Sequence, residues 1–169
     1  MDLSPARPGN IEFVTRIVNV LHADCEFDPE DPDGYRSGQA FVGREAGGNA
    51  ITVKLYELPA NQSSCPYHYE YEEEWLLVLA GAPTLRAPDG ERSLRTGDLV
   101  SFPVGPDGAH KLINRARETA RVMMWSSSRE PAVAVYPDSD KIGVWPGDDA
   151  DAVLLRRSDG ARDYFDGER

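Results

Sequence analysis

The stretch CPYHYEYEEEWLLVLAG, residues 65–81, gathers the side chains most able to do chemistry: His68, Glu70, Glu72, Glu73 and Glu74 fall within seven residues, and an apolar run follows at once. Imidazoles and carboxylates are the donors that divalent ions take, and a carboxylate beside such an ion is placed to carry a proton. The same residues in a turn form a solvated acidic patch. Glu72 and Glu73 read that way, as runs of like charge do.

Strand geometry decides which of these side chains can meet. Alternate residues of a strand face one side, so His68 and Glu70 share a face while Tyr67, Tyr69 and Tyr71 take the other. A strand starting near Glu74 sets Glu74, Leu76 and Val78 on one face and Trp75, Leu77 and Leu79 on the other. A turn at residues 71–73 then folds Glu74 back beside His68. A further neutral donor must come from His22 or His110, the other two histidines. His110 is the better placed, because it opens HKLIN, whose alternation puts His110, Leu112 and Asn114 on one face after the turn-rich PVGPDGA. His22, in NVLHADCEF, reads as an exposed or satisfied histidine.

The elements that position these residues are short strands. Thirteen prolines and fifteen glycines are scattered through the chain, and no long segment has helical periodicity. IEFVTRIVNVL, AITVKLYEL, EWLLVLAG, DLVSFPVG, HKLIN and ARVMMWSSS are apolar or alternating runs between turn clusters, and TLRAPDGERSL carries a Pro-Asp-Gly hairpin turn. This pattern predicts an all-β sandwich or barrel. The segments DCEFDPEDPDGYRSG and everything after Ser128 are turn-rich and read as extensions wrapped on one barrel.

Composition bounds the rest. A chain of 169 residues with 40% hydrophobic and 28% charged residues is expected to form one globular domain. The net charge of −11 leaves no basic face for phosphates, which argues against nucleic acid and anionic membrane as partners. No run reaches the length of a membrane span, and MDLSPARPGN lacks a signal-peptide pattern, so a cytoplasmic location is expected. Cys25 and Cys65 are too few for a disulfide scaffold and read as reduced thiols.

The two clusters together resemble the cupin superfamily. Its first motif, G(X)5HXH(X)3–4E(X)6G, is matched by His68, Glu70, Glu74 and Gly81, and its second, G(X)5PXG(X)2H(X)3N, by Gly97, Pro103, Gly105, His110 and Asn114. Three positions depart: Glu70 stands for the second histidine, Gln62 for the first glycine, and four residues separate Gly105 from His110. The resemblance implies a double-stranded β-helix, the cupin or jelly-roll barrel. Residues 1–169 would form a single cupin domain with a barrel core over about 49–128, an N-terminal arm 1–48 and a C-terminal extension 129–169.

The resemblance also implies one divalent metal per chain, with His68, Glu74 and His110 on ligand positions and Glu70 on the fourth. Iron, manganese or zinc would suit that anionic, hard donor set better than copper. Glu70 is also a candidate catalytic base, with the ligand role preferred because alternation places it on the face of His68. The first functional expectation is a dioxygenase-like metal enzyme acting on a small molecule, its pocket lined by Leu76, Leu112, Met123 and Met124. The alternatives are a non-redox isomerase, epimerase or lyase acting on a sugar or hydroxy acid, and a ligand-binding barrel without chemistry. A homodimer is expected, formed through the outward residues Tyr67, Tyr69, Trp75, Leu77 and Leu79, which would otherwise expose a large apolar patch. The N-terminal segment could cover them instead.

Overall fold

The computed structural model describes residues 15–160 and 163–168. The run expected as a strand over residues 11–21 lies partly outside them, and its described part, residues 15–21, forms no strand. The first strands are β1 (Glu26–Phe27) and β2 (Gly38–Ala40), followed by a single helical turn, α1 (Val42–Glu45). The barrel strands are β3 (Ile51–Leu58), β4 (Tyr69–Glu70), β5 (Glu74–Ala80), β6 (Thr84–Ala87), β7 (Gly90–Ser93), β8 (Leu99–Phe102), β9 (Lys111–Ile113) and β10 (Ala120–Ser127). Three more follow: β11 (Ala132–Tyr136), β12 (Lys141–Trp145) and β13 (Val153–Arg156), before a last turn, α2 (Arg157–Gly160).

All strand pairs are antiparallel, and they make two walls. One is a six-stranded sheet in the order β1-β2-β3-β10-β5-β8. The other is built from two smaller sheets, β13-β12-β11-β4 and β7-β6-β9. A single bridge between His68, next to β4, and His110, next to β9, joins these two, and another ties Ser63 to Ile113 of β9. Side chains from both walls, among them Leu58, Leu76, Val78, Leu85, Phe102, Leu112 and Val122, fill the space between them. Leu58, Leu76 and Leu112 are fully buried, each worth roughly 1.5–3 kcal/mol of transfer free energy.

The turn chemistry read from the sequence is where it was expected. Pro88 and Asp89 close the β6–β7 hairpin, with Ala87 opposite Gly90. Gly81 ends β5 at φ +79, and a Cβ there would lie 2.8 Å from Ala120 Cα, so only glycine lets the strand turn away at that point. Asp98 caps its own turn, accepting a hydrogen bond from the Arg95 amide at 2.7 Å. Asn114 is a structural residue. Its amide donates to the carbonyls of Leu58 and Glu118, and its Oδ1 accepts from the Ala116 amide.

Strand β3 uses its alternation in an unexpected sense. Its apolar set, Val53 and Leu55, points out of the barrel, and Thr52, Lys54 and Tyr56 occupy the opposite face. The reason is a second cluster on the outside of the six-stranded sheet. There Val18, Val20, Ala23 and Cys25 of the N-terminal arm pack with Ala40, Val42, Leu55, Leu79 and Met123. The arm thus covers part of the outward face that the sequence left open. Trp75 and Trp125 stack on that same face, 6.3 Å apart and half-buried.

The segment after Ser128 does more than wrap the barrel. Strand β11 pairs directly with β4, Ala134 opposite Glu70 and Val135 opposite Tyr69. The tip of the β11–β12 hairpin is clasped to the barrel by Arg86, whose two guanidinium nitrogens donate to both carboxylate oxygens of Asp138. Arg86 also lies over the Tyr67 ring, 3.9 Å from its centroid. No helix among the described residues is long and apolar enough to cross a membrane.

Candidate functional site

His68, Glu74 and His110 converge, their donor atoms all within 4.8 Å of one another. Each comes from a different piece of chain. His68 and His110 are opposed across the bridge and exchange both main-chain hydrogen bonds, at 3.1 and 2.8 Å. Glu74 opens β5 after the turn at residues 71–73. Its Oε2 lies 3.9 Å from His68 Nε2 and 3.7 Å from His110 Nε2. The cluster is sheltered: His110 is 1% exposed and His68 7%.

Both rings are held with the same nitrogen inward. His68 Nδ1 lies 3.0 Å from the carbonyl of Pro66, and His110 Nδ1 lies 2.9 Å from the carbonyl of Gly108. A carbonyl can only accept, so each Nδ1 carries a proton and each Nε2 is the nitrogen turned toward Glu74. Phe102 stacks flat on His110, centroids 3.7 Å apart, and Tyr136 stacks on His68 at 5.9 Å.

Charge follows from this burial. Burial and the neighbouring charge of His68 push the His110 imidazole down to about 3, so that ring is neutral. Burial also lowers His68, but Cys65, Glu74 and Glu70 outweigh it and hold the group up to about 10. Burial, reinforced by Glu70, raises the Glu74 carboxyl to about 7, against the lowering effect of His68 and Lys54. Glu70 is raised too, first by burial, with His68 and Lys54 opposing.

These residues fit a divalent ion. His110 Nε2 is buried and has no hydrogen-bond partner, an expensive state for a lone pair unless something accepts it. Two imidazole Nε2 atoms and one carboxylate oxygen converge on a common point, which is the donor set that iron, manganese and zinc take. Glu70 stands beside this set rather than in it. Its Oε1 lies 3.7 Å from His68 Nε2 and its side chain is 27% exposed, against 13% for Glu74.

The remaining sequence expectations divide. Glu72 is not a solvated turn residue: the Ser127 hydroxyl donates to it, and its side chain is 18% exposed beside Arg129. Glu73 is exposed and accepts from Trp75 Nε1. His22 is exposed. Leu76, Leu112 and Met124 belong to the core beneath the site, and Leu76 and Leu112 have no exposed surface for a substrate to touch. Met123 is on the wrong face. It packs with the outer cluster, because neighbouring residues of β10 point to opposite sides.

Three residues near the centre escaped sequence reasoning. Lys54 and Tyr56 sit on the polar face of β3, a period-two signal that the sequence carries but that apolar alternation masks. Tyr136 lies outside both motifs and has no local signal. Away from the centre, a cavity of about 500 Å³ on the N-terminal arm is lined by Asp24, Glu26, Asp28 and Asp31. Among the described residues only His68, Glu74 and His110 draw together closely enough to share an ion.

The comparisons agree with this fold. Residues 54–126 match the family model described as a cupin domain. The chain therefore carries a cupin domain, and its fold is that of the cupin superfamily. A provisional sugar phosphate isomerase of Acidithiobacillus ferrooxidans superposes with a TM-score of 0.73 at 23% identity, over 85% of this chain and 91% of its own. A sugar phosphate isomerase of Silicibacter pomeroyi gives 0.72 at 23% identity, over 89% of this chain and 98% of its own. A polyketide cyclase of Streptomyces resistomycificus gives 0.59 at 19% identity, over 70% and 84%. At such identities the likeness shows the fold alone. No curated protein matches the chain.

Proposed function

We propose that the protein is a metal-dependent, non-redox isomerase of a small sugar or hydroxy acid. The observation that carries this reading is the position of Glu70, a partly exposed carboxylate beside the His68–Glu74–His110 set but outside it. A divalent ion held by those three residues would supply a Lewis acid for a substrate oxygen. Glu70 then has the place of a proton carrier, partly exposed beside the set and raised above the ordinary carboxylate value, first by burial. Lys54 adds a cation that bears on both Glu70 and Glu74, and it forms no ion pair among the described residues. Such an ammonium suits a substrate carrying a carboxylate or phosphate. Two fold neighbours bear the name sugar phosphate isomerase, which supports the same substrate type.

The test is proton exchange. Protein loaded with manganese, iron or zinc is incubated with aldose and ketose phosphates and with hydroxy acids in deuterated water, and the carbon-bound protons are followed by NMR. Exchange next to the carbonyl, with formation of the isomer, is the expected result. No exchange with any substrate or metal would overturn the reading.

One observation favours a second reading. Two imidazoles and one carboxylate are also the set with which non-haem iron enzymes leave positions open for dioxygen. Substrate-dependent oxygen uptake by the iron-loaded protein would establish that reaction in place of isomerisation.

A further inference from the structure

The hairpin of β11 and β12 carries a cation up to the centre. Tyr136, at the end of β11, stands one place beyond the pair of Val135 with Tyr69 and stacks on the ring of His68, centroids 5.9 Å apart. Its register partner on β12 is Lys141, and directly opposed residues of an antiparallel pair point to one face. The Lys141 ammonium accordingly lies over the Tyr136 ring, 5.4 Å from its centroid, within the range of a cation–π contact. Two ring contacts thus join Lys141 to a residue of the triad.

That ammonium has no counter-ion. Its Nζ makes no hydrogen bond or ion pair among the described residues, although the chain has 29 acidic against 18 basic residues to offer. The nearest acids along the hairpin are engaged elsewhere. Asp138 is held through both oxygens by Arg86, and Asp140 Oδ2 accepts the Ser158 amide at 3.1 Å. Arg156, opposite Lys141 on β13, is the next cation in the row, and its partner is Asp159 at 4.0 Å. Of these two cations Lys141 is the half-buried one and the one without a carboxylate.

We propose that Lys141 is a specificity-determining residue of this site, holding a phosphate or carboxylate at the end of the substrate away from the carbons that react at the triad. A lysine takes such an oxyanion as a point charge with rotatable donors. The contact with Tyr136 sets the ammonium on the site's side of the sheet without neutralising it. An anionic substrate gains a charge-assisted hydrogen bond there, and an uncharged one gains none, so the site discriminates between them. Lys54, the other cation invoked for such a group, comes from β3 in the opposite wall, and its Nζ lies over the Phe41 ring at 4.9 Å. Lys141 also lies beyond residues 54–126, so this part of recognition belongs to the C-terminal extension rather than to the segment that matches the family model.

The inference rests on the isomerase reading for its substrate type, but its test reads binding and not turnover. Triose, pentose and hexose phosphates, and the corresponding sugar acids, are titrated into zinc-loaded protein by ligand-detected NMR, each beside its uncharged sugar. Wild type is expected to bind at least one of the anionic ligands about tenfold or more tightly than the uncharged counterpart. Lys141→Gln should lose about tenfold for that ligand, the worth of one charge-assisted hydrogen bond, and Lys141→Arg should recover most of it. Affinity for the uncharged sugar, zinc content and thermal unfolding should stay as in wild type, which separates lost recognition from a damaged fold. The series that responds, phosphates or acids, identifies the group held. Binding that depends on Lys141 without isomer formation would sink the proposed function and leave this inference standing. Equal affinity in wild type and Lys141→Gln, a loss confined to Lys54→Gln, or no preference of wild type for an anionic ligand would overturn it.

Discussion

The carbonyl oxygen of Gly108 accepts the Nδ1 proton of His110 at 2.9 Å, and Gly108 has no room for a side chain. A Cβ there would fall 1.8 Å from the carbonyl oxygen of Pro103. The loop that aims a buried imidazole at Glu74 is therefore locked by a contact that has nothing to do with the imidazole itself. Gly108→Ala is expected to push the loop off Pro103 and turn His110, lowering zinc affinity by about 10–100-fold, as loss of an orienting contact does. Calorimetric titration checks this. Unchanged affinity would mean that the loop can shift without moving the ring.

The metal itself is the second expectation. Protein purified and reconstituted should hold about one divalent ion per chain by elemental analysis, and His110→Ala should lose it. His110 Nε2 is a buried atom left without a hydrogen-bond partner, so its removal takes away one of the three converging donors. Metal-free protein after reconstitution would leave a binding barrel without chemistry.

Glu70 separates two roles. As a proton carrier, Glu70→Gln keeps the metal and loses turnover by about 100-fold or more. As a fourth ligand, the same change weakens metal binding, and Glu70→His restores it with a shift toward nickel or copper. Paired metal titration and proton-exchange measurements distinguish the two, and the geometry favours the carrier.

Metal affinity should rise with pH. Burial and Glu70 hold Glu74 up to about 7, and its neighbours hold His68 up to about 10, so near neutrality the metal must displace protons from both. Protonation competes below those values, which makes binding weaker at pH 6 than at pH 8. Titration in buffers of different ionisation enthalpy should register released protons. Binding that is independent of pH and releases none would contradict this account.

The barrel and its metal-facing triad were legible because both depend on short-range rules. Period-two alternation put His68 and Glu70 on one face, the turn at residues 71–73 returned Glu74 to them, and a glycine-rich loop delivered His110. What stayed hidden depends on contacts between distant segments. Met123 was placed in the pocket because its one-residue offset from Met124 shows only when the register of β10 against β5 is known. Lys54 and Tyr56 were hidden because Val53 and Leu55 look like an inward face until the N-terminal arm is seen covering them. Tyr136 reaches the site only through the pairing of β11 with β4.

The clasp between Arg86 and Asp138 bears on how much of the chain can be cut away. A fragment ending at Ser128 would keep every motif residue, yet β4 would lose β11, the strand that pairs its free side. Two residues of unpaired backbone carrying Glu70 would then form a bare sheet margin, open to any extended chain in solution. Such a fragment should self-associate and lose ordered placement of Glu70 while His68, Glu74 and His110 remain in sequence. For this protein the smallest folding unit is larger than the smallest recognisable one.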